Sequence, residues 1–215
     1  MMNARLMKCA EFVQGETVCD VGTDHAQLPV FLVREGRVKS AIASDIREKP
    51  LEIAGWNIVK AGLSDKIRMM LSDGLICIPG EHITDIVIAG MGGETIIHIL
   101  KSCPWSLKHK NLILQPMTKH EVLRKWLFEN GFEIQKEECV PDKQFLYTVM
   151  QVQFTDVPAV PDWTDIYFGK MDLSKENGLA YAGRVLTQLR KAGEGSQNSV
   201  FFEIISKLEE KLSCL

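Results

Sequence analysis

Val18-Cys19-Asp20-Val21-Gly22-Thr23-Asp24-His25-Ala26 holds the residues of this chain best suited to chemistry. An apolar run leads into an acidic turn with one glycine, and the turn leads into a helix-like segment. Open α/β sheets hold adenosine-bearing cofactors at such strand–turn–helix junctions. A dinucleotide loop, G-x-G-x-x-G, brings bare backbone against a pyrophosphate. Only Gly22 of that pattern is present, and Asp24 stands where the second glycine belongs. Carboxylates at Asp20 and Asp24 repel a pyrophosphate and attract a cofactor carrying an ammonium and a sulfonium. The turn points to S-adenosylmethionine and methyl transfer, and away from an NAD-dependent oxidoreductase.

Three further segments complete the set. Asp45 ends the next apolar run, 23 residues beyond Gly22, the spacing of an acid that grips ribose hydroxyls. Its neighbour Ile46 is grouped with it as a cofactor contact. Ser72-Asp73-Gly74 ends a third run, where a carboxylate accepts from an adenine amino group and Gly74 turns the chain. Asp-Gly alone is a common turn. Its place after Asp20 and Asp45 is what gives it weight. In Ala89-Gly90-Met91-Gly92-Gly93, three glycines in four positions suggest a flat group close to the backbone, with a tight strand–helix turn as the plainer alternative. Ala89 and Gly90 are assigned to the cofactor; Met91, Gly92 and Gly93 to the acceptor. Gln115-Pro116-Met117 forms the opposite lip. Asp24 and His25 are the candidates for polar assistance at the methyl, His25 being equally readable as a structural hydrogen-bonder.

These residues need a scaffold. Thr17–Val21, Ala41–Asp45, Ile67–Leu71, Thr84–Ala89 and Asn111–Gln115 read as strands, several of them apolar throughout, as strands buried on both faces of a parallel sheet should be. Pro29 and Pro50 fit the first turns of the helices between them. After the fifth strand, Thr118 and Glu121 suggest a capping box, and Asn130-Gly131 a helix stop. Phe132–Val140 and Phe145–Phe154 follow as a hairpin, the pattern of a sheet whose last strand inserts antiparallel. Thr155–Asp162 reads as a linker. Beyond it, Leu179, Ala182, Leu186 and Leu189, then Phe201, Ile204, Leu208 and Leu212, repeat at heptad-like spacing around a loop at Ala192–Ser199. Leu6, Cys9, Ala10 and Val13 mark a first helix. The expected architecture is α/β, a Rossmann-like seven-stranded sheet over residues 1–157 with a small coiled-coil-like helical hairpin over 163–215.

Length and composition fit one sizeable domain with an appendage: 215 residues, 46% hydrophobic and 25% charged. No run spans a bilayer, and the first residues lack a signal-peptide core. Six scattered cysteines without C-x-x-C pairs argue against a zinc site or disulfide framework, which favours a reducing cytoplasm. The net charge of −3 does not by itself invite nucleic acid. Between Lys101 and Lys125, however, Lys101, Lys108, Lys110, Lys119, Arg124 and Lys125 face only Glu121. Charge alone leaves a solvated face and a phosphate-contacting patch both open.

With these segments in hand, the chain resembles the bacterial tRNA (adenine-22-N1)-methyltransferase family. The matching residues are Asp20–Ala26 with Leu28-Pro29, Ala41–Asp45, Ser72–Leu75, Ile88–Gly93 and Leu112–Met117. The match is ordered and covers roughly residues 5 to 150. Gln27 and Gly169-Lys170 depart from the family's pattern. The resemblance implies the seven-stranded methyltransferase sheet, S-adenosylmethionine as cofactor, and methylation of adenine N1 in tRNA without a metal. It also implies that Arg5 lies near the cofactor's methionine end. Lys108, Lys110 and Lys119, with the helical hairpin, are then expected to hold the tRNA body. Methylation of another RNA or a small molecule, and a non-catalytic RNA-binding module on the same fold, are the alternatives.

Overall fold

The computed structural model describes residues 2–194 and 199–214. In chain order the elements are α1 (Ala4–Phe12), β1 (Thr17–Val21), α2 (Gln27–Arg34), β2 (Ser40–Asp45) and α3 (Glu48–Lys60). Next come β3 (Ile67–Leu71), β4 (Asp85–Gly92), α4 (Gly93–Lys101), β5 (Asn111–Thr118) and α5 (His120–Glu129). The chain ends with β6 (Phe132–Asp142), β7 (Phe145–Phe154), α6 (Trp163–Tyr167), α7 (Glu176–Glu194) and α8 (Ser199–Ser213). One seven-stranded sheet runs in the order β3-β2-β1-β4-β5-β7-β6. The first five strands are parallel. β7 inserts antiparallel between β5 and β6, as the hairpin pattern predicts.

Continuous apolar strands are explained by burial on both faces. Cys19, Val21, Ile86, Ile88, Leu112 and Leu114 face α4 and α5 in one core. Val18, Val87 and Ile113, on the alternate positions, face α1, α2 and α3 in another. Asp85 secures the amino edge. Its buried carboxylate accepts the Gln14 and Gly15 amides at 2.9 and 2.8 Å, the Asn111 amide at 2.6 Å and the Thr84 hydroxyl at 2.8 Å. The turn joining α1 to β1 is thereby fixed to the start of β4, with Arg5 at the opposite, carboxyl edge. Pro29 and Pro50 sit in the first turns of α2 and α3.

A third core, built on Phe168, Leu173, Ala182, Leu186, Leu189, Ile204 and Leu208, gathers the C-terminal helices. It is joined to the sheet through Arg124 of α5, whose five N–H groups are all used. They donate to the Glu137 carboxylate of β6 (2.7–3.2 Å), the carbonyls of Ile166 and Tyr167 (both 3.0 Å) and the Tyr181 hydroxyl (2.8 Å). Lys170 N–H adds a bond to Glu137 at 3.1 Å. Gly169, at φ +64°, passes over this pair, where a Cβ would collide with Glu137. Burial alone would pull the Arg124 pKa down; the Glu137 and Tyr181 charges reverse that and the net shift is upward.

Several local expectations are corrected. Thr118 is the last residue of β5, and Lys119, at φ +58°, is the N-cap without a side-chain bond, so the Thr118–Glu121 capping box does not form. Helix initiation here is set by the tight β5–α5 junction. A capping box appears instead at Asp162 and Asp165, opening α6. Leu179 is 46% exposed, and Tyr181, bonded to Arg124, turns inward instead. Ala192, Gly193 and Glu194 continue α7; Gly195–Asn198 of the expected loop lie outside the described residues. α8 packs on α6 as well as on α7, so the C-terminal cluster is more than a two-helix hairpin.

Replacing Glu137 by Gln leaves a buried guanidinium without its counter-charge, which typically costs about 3–5 kcal/mol. Urea unfolding of Glu137→Gln at pH 7 should show a loss of at least about 2 kcal/mol. Limited proteolysis should then cut within residues 155–162 faster than in the wild type. Unchanged stability and cleavage would mean that the apolar core alone holds the C-terminal helices.

Candidate active site

The β1–α2 turn is shaped by three consecutive constraints. The amides of Gly22 and Thr23 both donate to the Ser44 carbonyl of β2 at 2.8 Å, with Gly22 at φ +74°. The Thr23 hydroxyl, fully buried, donates to Asp20 Oδ2 at 2.7 Å. His25 and Ala26 then adopt left-handed backbone at φ +58° and +52°, which costs roughly 1–2 kcal/mol for each L-residue. Asn57 of α3 secures this strained pair by donating to the His25 carbonyl at 2.9 Å. The result holds His25 Nε2 3.0 Å from Asp24 Oδ1 on the open rim of the edge.

The three strand-end acids reach the same edge with different environments. Asp20 is buried, and its pKa is pushed up to about 6, chiefly by desolvation; the Thr23 hydroxyl and the Arg5 charge pull the other way. Asp45 is also buried. Its Oδ1 accepts the Arg47 amide at 2.9 Å, and Oδ2 has no protein partner among the described residues. Ile46 beside it is 60% exposed, a large apolar side chain left facing solvent. Asp73 is exposed, and Gly74 (φ +55°) turns the chain so closely under α4 that a Cβ would lie 3.0 Å from Ile99.

β4 ends irregularly for a reason visible in its partner. Pro116 has no N–H to continue the ladder, and the register between β4 and β5 shifts on either side of Met91. Gly90, at φ +79°, turns its amide onto Gln115 Oε1 at 2.9 Å. Arg5 Nη1 donates to the same oxygen at 2.5 Å, and Gln115 Nε2 donates to the Pro116 carbonyl at 2.8 Å. A Cβ on Gly90 would sit 2.9 Å from Arg5 Nη1. Met91 reaches back over Gly22, where a Cβ would collide with its methyl. The turns after β1 and β4 are thus in contact. Gly92 faces the Thr118 hydroxyl, and Gly93 has no room for a Cβ because the Lys119 carbonyl lies against it.

The sequence therefore brings Arg5, Asp20, Gly22, Asp24, His25, Asp45, Asp73, Gly90, Met91 and Gln115 to one edge. It does not bring the basic stretch together. Lys108 and Lys110 precede β5 and lie at the amino edge, whereas Lys119 follows β5 at the carboxyl edge. That strand is eight residues long, or roughly 25 Å at the usual rise. Lys108 pairs with Asp156 at 2.9 Å. Lys110 donates to the Gly80 and Ile83 carbonyls at 2.8 and 2.6 Å. Arg124 is buried against Glu137. Lys108 and Lys110 therefore do not form one continuous face with Lys119.

Sequence reasoning missed Asn57 and Tyr147. Tyr147 of β7 lies under the Arg5 guanidinium, 5.9 Å from carbon to ring centroid. Their separation along the chain leaves no periodic signal; only the insertion of β7 beside β5 makes the pair. Among the described residues no group of three or more His, Cys, Asp or Glu is placed to hold a metal, and no helix is long and apolar enough to cross a membrane.

Comparison with known proteins agrees with this arrangement. A family model described as a methyltransferase domain matches residues 2–150. The tRNA (adenine(22)-N(1))-methyltransferase of Bacillus subtilis is 30% identical over 212 residues, 92% of this chain and 89% of that protein. A Streptococcus pneumoniae protein solved in complex with S-adenosyl-L-methionine is 33% identical with a TM-score of 0.86, covering 99% of this chain and 100% of that one. M. capricolum TrmK, solved with S-adenosyl-homocysteine, is 28% identical with a TM-score of 0.84, covering 99% and 98%. Matched to the methyltransferase model over most of its length and 30% identical to the B. subtilis enzyme across nine-tenths of its residues, the chain belongs to the tRNA (adenine-22-N1)-methyltransferase family.

Proposed function

We propose that this protein transfers a methyl group from S-adenosylmethionine to N1 of adenine 22 in tRNA. The observation that carries the reading is the meeting, at one sheet edge, of Asp20 and Asp45 with the bulged Gly90 turn. The donor set suits this cofactor. Asp45 Oδ2 accepts no hydrogen bond among the described residues, which leaves it open to a ribose hydroxyl. Asp20 receives one hydrogen bond, from Thr23, so a cationic ammonium would complete its environment. Asp73 is placed for an adenine amino group, Ile46 for an apolar ring face, and Arg5 for a carboxylate at the methionine end. S-adenosylmethionine held there would supply a sulfonium-activated methyl, with the N1–carbon bond forming as the carbon–sulfur bond breaks and its electron pair stays on sulfur.

Adenine N1 is unprotonated at neutral pH, so the protein's task is mainly orientation; a near-attack pair supplies much of the acceleration. Arg5 and the Gly90 amide converge on Gln115 Oε1 and fix the lip against which the base must lie. Met91, Gly92 and Pro116 shape that lip. The product base carries a positive charge, which the Asp24 carboxylate stabilises, and His25 beside it is placed to take a proton from N6. The target must first leave its stack. This reading places the protein in the cytoplasm with tRNA as its partner.

The defining experiment is primer extension on tRNA transcripts after incubation with S-adenosylmethionine. N1-methylation blocks the pairing edge of adenine, so reverse transcription should stop at position 22 and read through when adenine 22 is replaced by guanine. Stops elsewhere, or none, would assign another substrate. Asp45→Ala removes charge-assisted bonds worth roughly 1.5–3 kcal/mol each. Calorimetry should show cofactor affinity falling at least tenfold with the fold intact.

Asp20 gives a pH signature. With its folded pKa at about 6 and the unfolded value near 3.8, the folded state holds a proton that the unfolded chain has lost between these values. Its contribution to stability therefore falls as pH rises through that window, and the ionised group costs on the order of 2–3 kcal/mol above it. Asp20→Asn should raise the melting temperature of the free protein at pH 7.5, with the gain shrinking toward pH 5. The same variant should lose at least tenfold in cofactor affinity. Wild-type affinity should decline as pH drops below about 6, and Asp20→Asn should flatten that decline. A variant neither more stable nor weaker in binding would remove Asp20 from the cofactor site.

A further inference from the structure

Between the carboxyl edge of the sheet and the C-terminal helices lies a cleft of about 1000 Å³. This is the upper end of ordinary ligand pockets and exceeds what one flipped base fills. Lys119 and His120 at the β5–α5 junction and Phe145 and Tyr147 of β7 form one side; Tyr167 and Arg184 face them from the helices. Lys119 and Arg184 are exposed and enter no ion pair among the described residues. Phe145 is 46% exposed, with its ring 6.0 Å from that of Tyr147. His120 lies edge-on to Tyr181, 6.5 Å away. Its pKa is pushed down to about 4, first by burial and then by the Arg124 charge, so its ring is neutral at physiological pH.

The cleft is continuous with the acceptor lip, because Tyr147 lies under Arg5, and Arg5 bonds Gln115. We propose that this cleft receives the nucleotides flanking the target adenine as a single strand, with Phe145 and Tyr147 stacking on bases and Lys119 and Arg184 contacting phosphates. Exposed rings beside unpaired cations are the means by which proteins hold single-stranded nucleic acid. An apolar peptide would instead leave both cations unmatched against it. Extruding one base also unstacks its neighbours, and they need a surface next to the reaction site. The inference rests on the RNA-methylating reading and specifies where that RNA enters.

Phe145 and Arg184 are exposed, so variants there should keep the fold, checked by an unchanged melting temperature and unchanged cofactor affinity. Phe145→Ala should lower kcat/KM for the tRNA transcript about tenfold, the scale of one lost base-stacking contact, chiefly through KM. Phe145→Trp should restore it, whereas Phe145→Leu should not. Arg184→Gln should reduce the slope of log affinity against log salt for tRNA by about 0.7, one single-strand phosphate contact. If kcat/KM stays within about twofold of wild type in Phe145→Ala and the salt slope is unmoved in Arg184→Gln, the cleft does not take RNA. Rescue by Leu equal to that by Trp would likewise overturn it, pointing to an apolar protein partner. A wild-type protein that binds tRNA with these dependences but leaves no stop at position 22 would overturn the catalytic reading and keep the cleft.

Discussion

A single buried guanidinium determines how the two halves of this molecule meet. Arg124 is fully enclosed, and each of its N–H groups has an acceptor: a carboxylate on β6, two carbonyls at the end of α6 and a hydroxyl on α7. Desolvating such a charge is expensive, and the cost is recovered only if every partner is in place. The pair therefore constrains position more than it adds stability. Moving the C-terminal helices by even a fraction of a hydrogen-bond length would strand a charge in the core. Gly169 shows the tightness of the fit, since no side chain can pass over the ion pair at that point. The helix that carries Arg184 is thereby held opposite Phe145 and Tyr147.

At the sheet edge the electrostatics are divided. The β1, β2 and β3 ends carry carboxyls, while the β5 and β7 side carries Arg5, Lys119 and aromatic rings. A cationic sulfonium cofactor and a polyanionic substrate need opposite fields within one site, and the strand order supplies them on either side of the β1–β4 junction. Arg5 sits at the boundary. It lowers the cost of ionising Asp20, holds Gln115 in place, and covers Tyr147. The strain at His25 and Ala26, held by Asn57, has the same logic: backbone energy is spent where a turn must present polar groups to a ligand.

Much of this was legible in the residues because it follows from local rules. Strands buried on both faces read as unbroken apolar runs, and all seven strands were found within a few residues of their ends, although β3, at the edge of the sheet, is exposed at three of its five positions. Asp20, Asp45 and Asp73 were identifiable because strand ends at the carboxyl edge are where a parallel sheet exposes side chains to a common ligand. Gly22, Gly74 and Gly90 proved to need the left-handed backbone that glycine tolerates. What failed was the reading of sequence proximity as spatial proximity. Lys108, Lys110 and Lys119 lie within a dozen residues, yet an eight-residue strand separates their ends. Arg124, counted as a surface cation, is fully buried.

The amino-acid sequence by itself determined the order of strands and helices, the acidic character of the cofactor turn and the family to which it belongs, since these depend on periodicity and on residue types at short spacing. Tertiary structure alone decided the contacts between distant segments: Arg5 over Tyr147, Asn57 at the His25 carbonyl, and Arg124 among four elements. The physical reason is that β7 enters the sheet between β5 and β6 and the C-terminal helices dock back on β6. Such long-range closures are selected by the sum of burial and polar satisfaction over the whole fold, and no local pattern encodes which side chain will meet which.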